Sequence, residues 1–190
     1  MSNIIRVFAT DPGLTNFGYA LIEYNLSNGH RTVIKYGTIT GKSLLKSQKD
    51  MLNRFEKRYI IIWELEKVLQ EMILEMSPDY VVVESAFYHT FPSSFAALTM
   101  VIQAVRTATK NAMGRDIYLV APRESKKAAS ADGNSNKTLV QYAIFGNPDI
   151  TVSNKLSNID ELTEHSYDAI AAGEAFIMNH LPSILISRVI

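Results

Sequence analysis

The sequence predicts an α/β fold: a five-stranded mixed sheet, three antiparallel strands then two parallel ones, flanked by helices on both faces. Three observations lead there. Short apolar, β-branched segments separated by turn residues crowd the first 40 positions. Two long helical segments follow, one with apolar residues every three or four positions over about 46–76 and one apolar nearly all round over 93–113. Each of those is followed by a short, uniformly apolar stretch that suits a buried strand. With 190 residues and a 47% hydrophobic share, the chain has the material for one domain with a substantial core.

Residues 4–10 (IIRVFAT) form the first predicted strand, ended by Asp11-Pro12-Gly13. Residues 17–24 and 32–40 supply two more, with the hairpin-favouring pair Asn28-Gly29 between them. Leu52, Phe55, Tyr59, Ile62, Leu65, Leu69, Met72 and Met76 then mark an amphipathic helix stopped by Ser77-Pro78. Tyr80-Val81-Val82-Val83 reads as a central strand closing on Glu84. The helix over 93–113 is apolar nearly all round, which fits either a homodimer face or a central core helix. Residues 117–121 give a fifth strand before Pro122, and 128–136 (AASADGNSN) a mobile loop. A short helix over 137–145, a polar connection over 146–163 and an Ala-rich final helix over 164–180 complete the chain. Antiparallel strands followed by crossover units generate the mixed sheet.

Composition removes several function classes. The absence of cysteine excludes disulfide scaffolds, thiolate zinc sites and cysteine nucleophiles. No apolar run reaches the roughly 18 residues a membrane span requires, and the N-terminus lacks the pattern of a signal peptide. The expected location is cytoplasmic. Nineteen basic and nineteen acidic residues balance overall, but not locally. Residues 106–137 carry seven bases against three acids, and 138–190 carry two against six. A basic stretch beside an acidic one is what a metal-dependent nuclease needs, and is also compatible with ordinary surface charge.

Three acidic residues fall at element ends: Asp11, Glu84 and, in the first turns of the last helix, Asp168. If the first and fourth strands are parallel neighbours, Asp11 and Glu84 meet at the carboxyl edge, where open α/β sheets bind ligands. Carboxylates that close repel one another unless a hard cation such as Mg²⁺ or Mn²⁺ lies between them. Magnesium so held commonly takes its remaining ligands from phosphates, which points to phosphoryl chemistry. His165 and Asp168, three residues apart, share one helical face, either as a metal pair or as a cap and a surface residue.

At these residues a family resemblance enters. Asp11-Pro12-Gly13-Leu14-Thr15-Asn16-Phe17-Gly18-Tyr19-Ala20 resembles the first motif of the RuvC family of Holliday-junction resolvases. The segment from Pro78 to Phe87 (PDYVVVESAF) is similar to the second, and His165-Ser166-Tyr167-Asp168-Ala169-Ile170-Ala171 to the last. Between them Pro122, Lys127, Gly133, Lys137, Val140 and Gln141 keep the family's order. The likeness spans about 4–180, and the small size and divergent third segment suggest a bacteriophage member (host cytoplasm, if so).

The resemblance implies a ribonuclease H-like fold and two divalent metals, Mg²⁺ with Mn²⁺ as substitute, held by Asp11, Glu84, His165 and Asp168. It assigns Lys137 to the charge developing on the phosphate. Phe87 becomes the aromatic that stacks on an unpaired base, with Tyr88 or Phe91 as substitutes; Arg123, Lys126 and Lys127 become phosphate contacts. Many members carry aspartate where this chain has His165, so Asp160, Glu161 or Glu164 is an alternative ligand. The implied activity is resolution of four-way DNA junctions by a homodimer, through paired nicks with 5′-phosphate and 3′-hydroxyl ends. A relaxed enzyme cutting forks and flaps, or an inactive junction binder, are the alternatives. An actin-like ATPase needs a second such domain and a second phosphate loop, which 190 residues cannot hold.

Overall fold

The computed structural model describes residues 3–46, 48, 50–87, 92–129, 137–153 and 163–187. Strands β1 (Ile4–Asp11), β2 (Asn16–Asn25) and β3 (Arg31–Thr40) form an antiparallel meander. The β2–β3 connection runs through Asn28 and Gly29, whose φ of +75° is the left-handed conformation glycine tolerates. β4 (Tyr80–Glu84) lies parallel to β1, and β5 (Tyr118–Val120) parallel to β4.

The sheet has six strands, one more than the sequence predicts, in the order β5-β4-β1-β2-β3-β6. The addition is β6 (Ile150–Val152), parallel to the outer edge of β3, in the segment read as a polar connection. Three residues between Asn147-Pro148-Asp149 and Ser153 are too few for a periodic signal. The strand is held instead by its ladder with 31–33 and by the Arg31 N–H donating to the Asp149 carbonyl, 2.8 Å.

Strand alternation sorts the core into two layers. Val7 and Ala9 on β1, Ala20 and Ile22 on β2 and Val82 on β4 face α6 (Glu164–Asn179) and its neighbours. Phe8, Phe17, Leu21, Val81 and Val83 face α2 (Lys57–Met76) and α3 (Pro92–Met113). The helix predicted over 46–76 starts later: an unpredicted α1 (Gly41–Lys46) and a 3₁₀ turn at Met51–Asn53 precede it, and α2 begins at Lys57. α2 ends where expected, with Ser77 in the left-handed region as its C-cap.

Pro122 does not only stop β5. It opens the short helix α4 (Pro122–Ala128), where a missing N–H costs nothing, and Glu124 accepts the Ala121 N–H at 2.8 Å. α5 (Lys137–Gly146) matches the predicted short helix, and α7 (Leu181–Ser187) follows α6. The loop over 130–136 lies outside the described residues. α6 packs tightly because it carries small residues: a methyl on Gly173 would lie 2.5 Å from Ile22 Cδ1. Among the described residues no single helix is long and apolar enough to cross a membrane.

Candidate active site

The site is built from one row across the sheet. The register pairs Asp11 with Gly18 and Gly18 with Thr38. The β1–β4 register pairs Thr10 with Val83, so Asp11 and Glu84, one residue further on, end parallel neighbours at the same edge. Both continue the set of residues that points at α6, since Ala9 and Val82 stand two positions before them.

The first turn of α6 is seated on that row. Thr163 caps the helix by accepting the Ser166 N–H, and its hydroxyl meets that of Thr38 at 2.5 Å. His165 lies directly over Gly18: a methyl there would stand 2.1 Å from the His165 carbonyl oxygen. This approach brings His165 Nδ1 within 2.9 Å of Asp11 Oδ2, while its Nε2 faces Glu164 at 3.5 Å. Asp168, one turn on, completes the acidic edge.

The electrostatics single out Glu84. Burial pushes its carboxyl up to about 8; Asp11 and then Asp168 push the same way, and the Ser125 hydroxyl and Lys126 oppose them. Three carboxylates thus converge on one half-buried edge, and the nearby protein cation does not keep Glu84 ionised. Hard oxygen donors carrying excess negative charge fit a divalent cation. The side chains are not drawn into a finished ligand shell, since among the described residues no three of them stand at ligand spacing.

The remaining predicted residues divide. Arg123 and Lys127 on α4 are exposed, and Lys126 is half-buried beside Glu84. Phe87, three residues past Glu84, is 68% exposed; read from the sequence without the family, it would be a core residue. Lys137 opens α5, but its side chain lies outside the described residues, as do Tyr88, Phe91, Asp160 and Glu161 altogether. Glu164 is described, exposed and next to His165. Sequence reasoning passed over Gly18, Thr38 and Thr163, and gave Ser125 only a possible hydrogen bond to DNA. Only Gly18 carried a signal, its place inside the first motif.

A family model for the crossover junction endodeoxyribonuclease RuvC matches residues 7–173, from β1 through most of α6. The chain belongs to the RuvC family. It is 27% identical over 174 residues to the crossover junction endodeoxyribonuclease RuvC of Chlamydia muridarum, covering 92% of this chain and 89% of that one. The fold resembles that of Thermus thermophilus RuvC, with a TM-score of 0.68 at 17% identity over 94% of this chain and 97% of the other. It also resembles T. thermophilus RuvC in complex with a Holliday junction substrate, TM-score 0.67 at 18% identity, over 90% and 92% of the two chains. Asp11 at the β1–β2 corner and His165 at the α6 N-terminus, 154 positions apart, meet within the matched range.

Proposed function

We propose that the acidic edge is the catalytic centre of a crossover junction endodeoxyribonuclease, which resolves four-way DNA junctions by phosphodiester hydrolysis. The observation that carries this reading is the convergence of Asp11, Glu84 and Asp168, which leaves Glu84 holding a proton near neutrality when no cation shares the site. Asp11, Glu84 and Asp168 supply oxygen ligands, and His165 stands beside Asp11 as a fourth donor. Bound divalent cations, two Mg²⁺ with Mn²⁺ as substitute, would activate the water nucleophile and stabilise the leaving oxygen. Ser125 and Lys126 favour the charged form of Glu84 but are outweighed by burial and by the neighbouring carboxylates. Lys137 opposes charge developing on the phosphate, Arg123 and Lys127 position the strand, and Phe87 stacks on an unpaired base. The products are nicks with 5′-phosphate and 3′-hydroxyl ends.

Paired nicking requires two sites, and α3 supports a homodimer. Val101, Ala104, Val105 and Ala108 are buried in the layer beneath it. Phe95, Ala97, Leu98 and Met100 remain only half-buried, and Ala96 is exposed. A second copy of α3 covers that apolar half, with the whole chain acting as one nuclease domain.

Cleavage of labelled four-way junction, fork, flap and linear duplex with Mg²⁺, Mn²⁺ or chelator tests the reading. Symmetric metal-dependent nicks on the four-way junction, abolished by Asp11→Asn with junction binding retained, are expected. Comparable cutting of forks and flaps would replace resolution with debranching. An Asp11→Asn variant that still cuts would remove Asp11 from the mechanism.

A further inference from the structure

A groove of about 340 Å³ lies outside the acidic cluster, lined by Met51, Phe55, Tyr59, Ile60 and Trp63. Three of its rings are exposed to an unusual degree: Phe55 at 54%, Tyr59 at 46% and Trp63 at 46%. They recur at every fourth residue, so they form one stripe running from the 3₁₀ turn onto α2. Core packing does not account for them, because the buried stripe of α2 is a different one, through Ile61, Leu65, Leu69 and Ile73.

Cations stand over the rings at the rim of the groove. The Arg58 guanidinium lies 5.0 Å from the Tyr59 ring centre and Lys67 Nζ 3.6 Å from that of Trp63. Both of these cations are paired, Arg58 with Glu56 at 2.9 Å and Lys67 with Glu64 at 3.0 Å, and Asp50 and Glu66 are further acids of the same stretch. Arg54 and Lys57, on either side of Phe55 and Glu56, are exposed and have no ion-pair partner among the described residues.

Position adds a third argument. α2 ends beside the start of β4 and packs along β1 and β4, so its N-terminal end lies toward the carboxyl edge that holds Asp11 and Glu84. A polyanion with flat apolar groups matches both the rings and the rim.

We propose that this groove is a further DNA-binding site, in which Tyr59 and Trp63 stack on unpaired bases and Arg54 and Lys57 hold the flanking phosphates. It deepens the nuclease reading and rests on it: strands opened at a junction are the source of such bases. Stacking on aromatic side chains tolerates any base and survives where hydrogen-bond readout is absent.

Trp63 is the one tryptophan in the chain, so its emission reports on this groove directly. Titration with a single-stranded oligothymidylate should quench that emission, more weakly as salt rises. An abasic oligonucleotide of the same length, and the exposed-site variant Tyr59→Ala, should each bind about 5- to 100-fold more weakly. No quenching, or equal quenching by the abasic strand, overturns the proposal. Emission that follows protein concentration without DNA also overturns it, in favour of a second copy. Junction cleavage measured in parallel separates the two failures: cutting without quenching removes only the groove, whereas quenching without cutting removes only the nuclease reading.

Discussion

Replacing Gly18 by alanine tests how the catalytic edge is assembled. The added methyl would stand 2.1 Å from the His165 carbonyl oxygen and 2.8 Å from its Cβ, whereas ordinary contact begins near 3.4 Å. The nearest obstacle is backbone, so the first turn of α6 must retreat by about 1 Å, not merely rotate a side chain. That shift stretches the 2.9 Å bond from His165 to Asp11 beyond hydrogen-bonding range and carries Asp168 with it. Overpacking of this kind costs about 1–3 kcal/mol, a fall in melting temperature of about 2–10 °C for a chain of this length. Displacing catalytic groups by about 1 Å costs on the order of 100-fold in rate. The assay is single-turnover cleavage of a four-way junction across a metal titration, with thermal unfolding alongside. The loss should fall on the rate and on metal half-saturation, with junction affinity retained. Gly146→Ala is the control, since nothing lies within 4 Å of a methyl there. A Gly18→Ala protein with unchanged rate and melting would refute the seating of α6 on β2.

Three further outcomes follow from the same geometry. With chelator present, Glu84 keeps its proton up to about 8 in the folded chain, against an ordinary 4.5. The folded state then binds the extra proton between those values, so stability falls as pH rises through that window, by at most about 1.4 kcal/mol per pH unit. Glu84→Gln should flatten that slope in chemical unfolding, and Mg²⁺ binding at pH 7 should release about one proton in calorimetry run in two buffers. Arg31 pairs with the fully buried Glu174 at 3.0 Å, and burial raises the Glu174 carboxyl against the pull of Arg31. Arg31→Leu should cost about 3–5 kcal/mol in chemical unfolding by stranding that carboxylate, and adding Glu174→Leu should recover most of it. Phe87→Ala should leave stability within about 0.5 kcal/mol, because the ring is exposed. Its junction affinity, measured by fluorescence anisotropy, should fall by about 5- to 100-fold.

The sequence by itself determined the strands of the meander, the apolar runs of β4 and α6, and which residues make up the first and last motifs. Those signals are local: alternation, helical spacing and turn residues act over a few positions, and Asp11 and Glu84 are conspicuous because each closes an apolar strand. It also anticipated two parallel strands after the meander, which pair as β1–β4 and β4–β5. The extra strand β6 escaped because three residues carry no period, and its pairing to β3 is decided by chain segments more than 100 residues apart. The helix read from residue 46 starts only after the 3₁₀ turn because apolar spacing alone says nothing of where backbone hydrogen bonds are interrupted.

Tertiary structure alone decided how the site is held. That Gly18 must lack a side chain follows from a contact with His165, 147 positions away, which no local pattern encodes. Ser125 and Lys126 act on Glu84 only because α4 is folded against the carboxyl edge, and the shifted carboxyl exists only once burial removes the water that would keep it ionised. Phe87 and the Phe55–Tyr59–Trp63 stripe show the limit from the other side. An aromatic residue in a sequence reads as core, and whether a neighbouring element covers it is a property of the packed molecule, not of the chain.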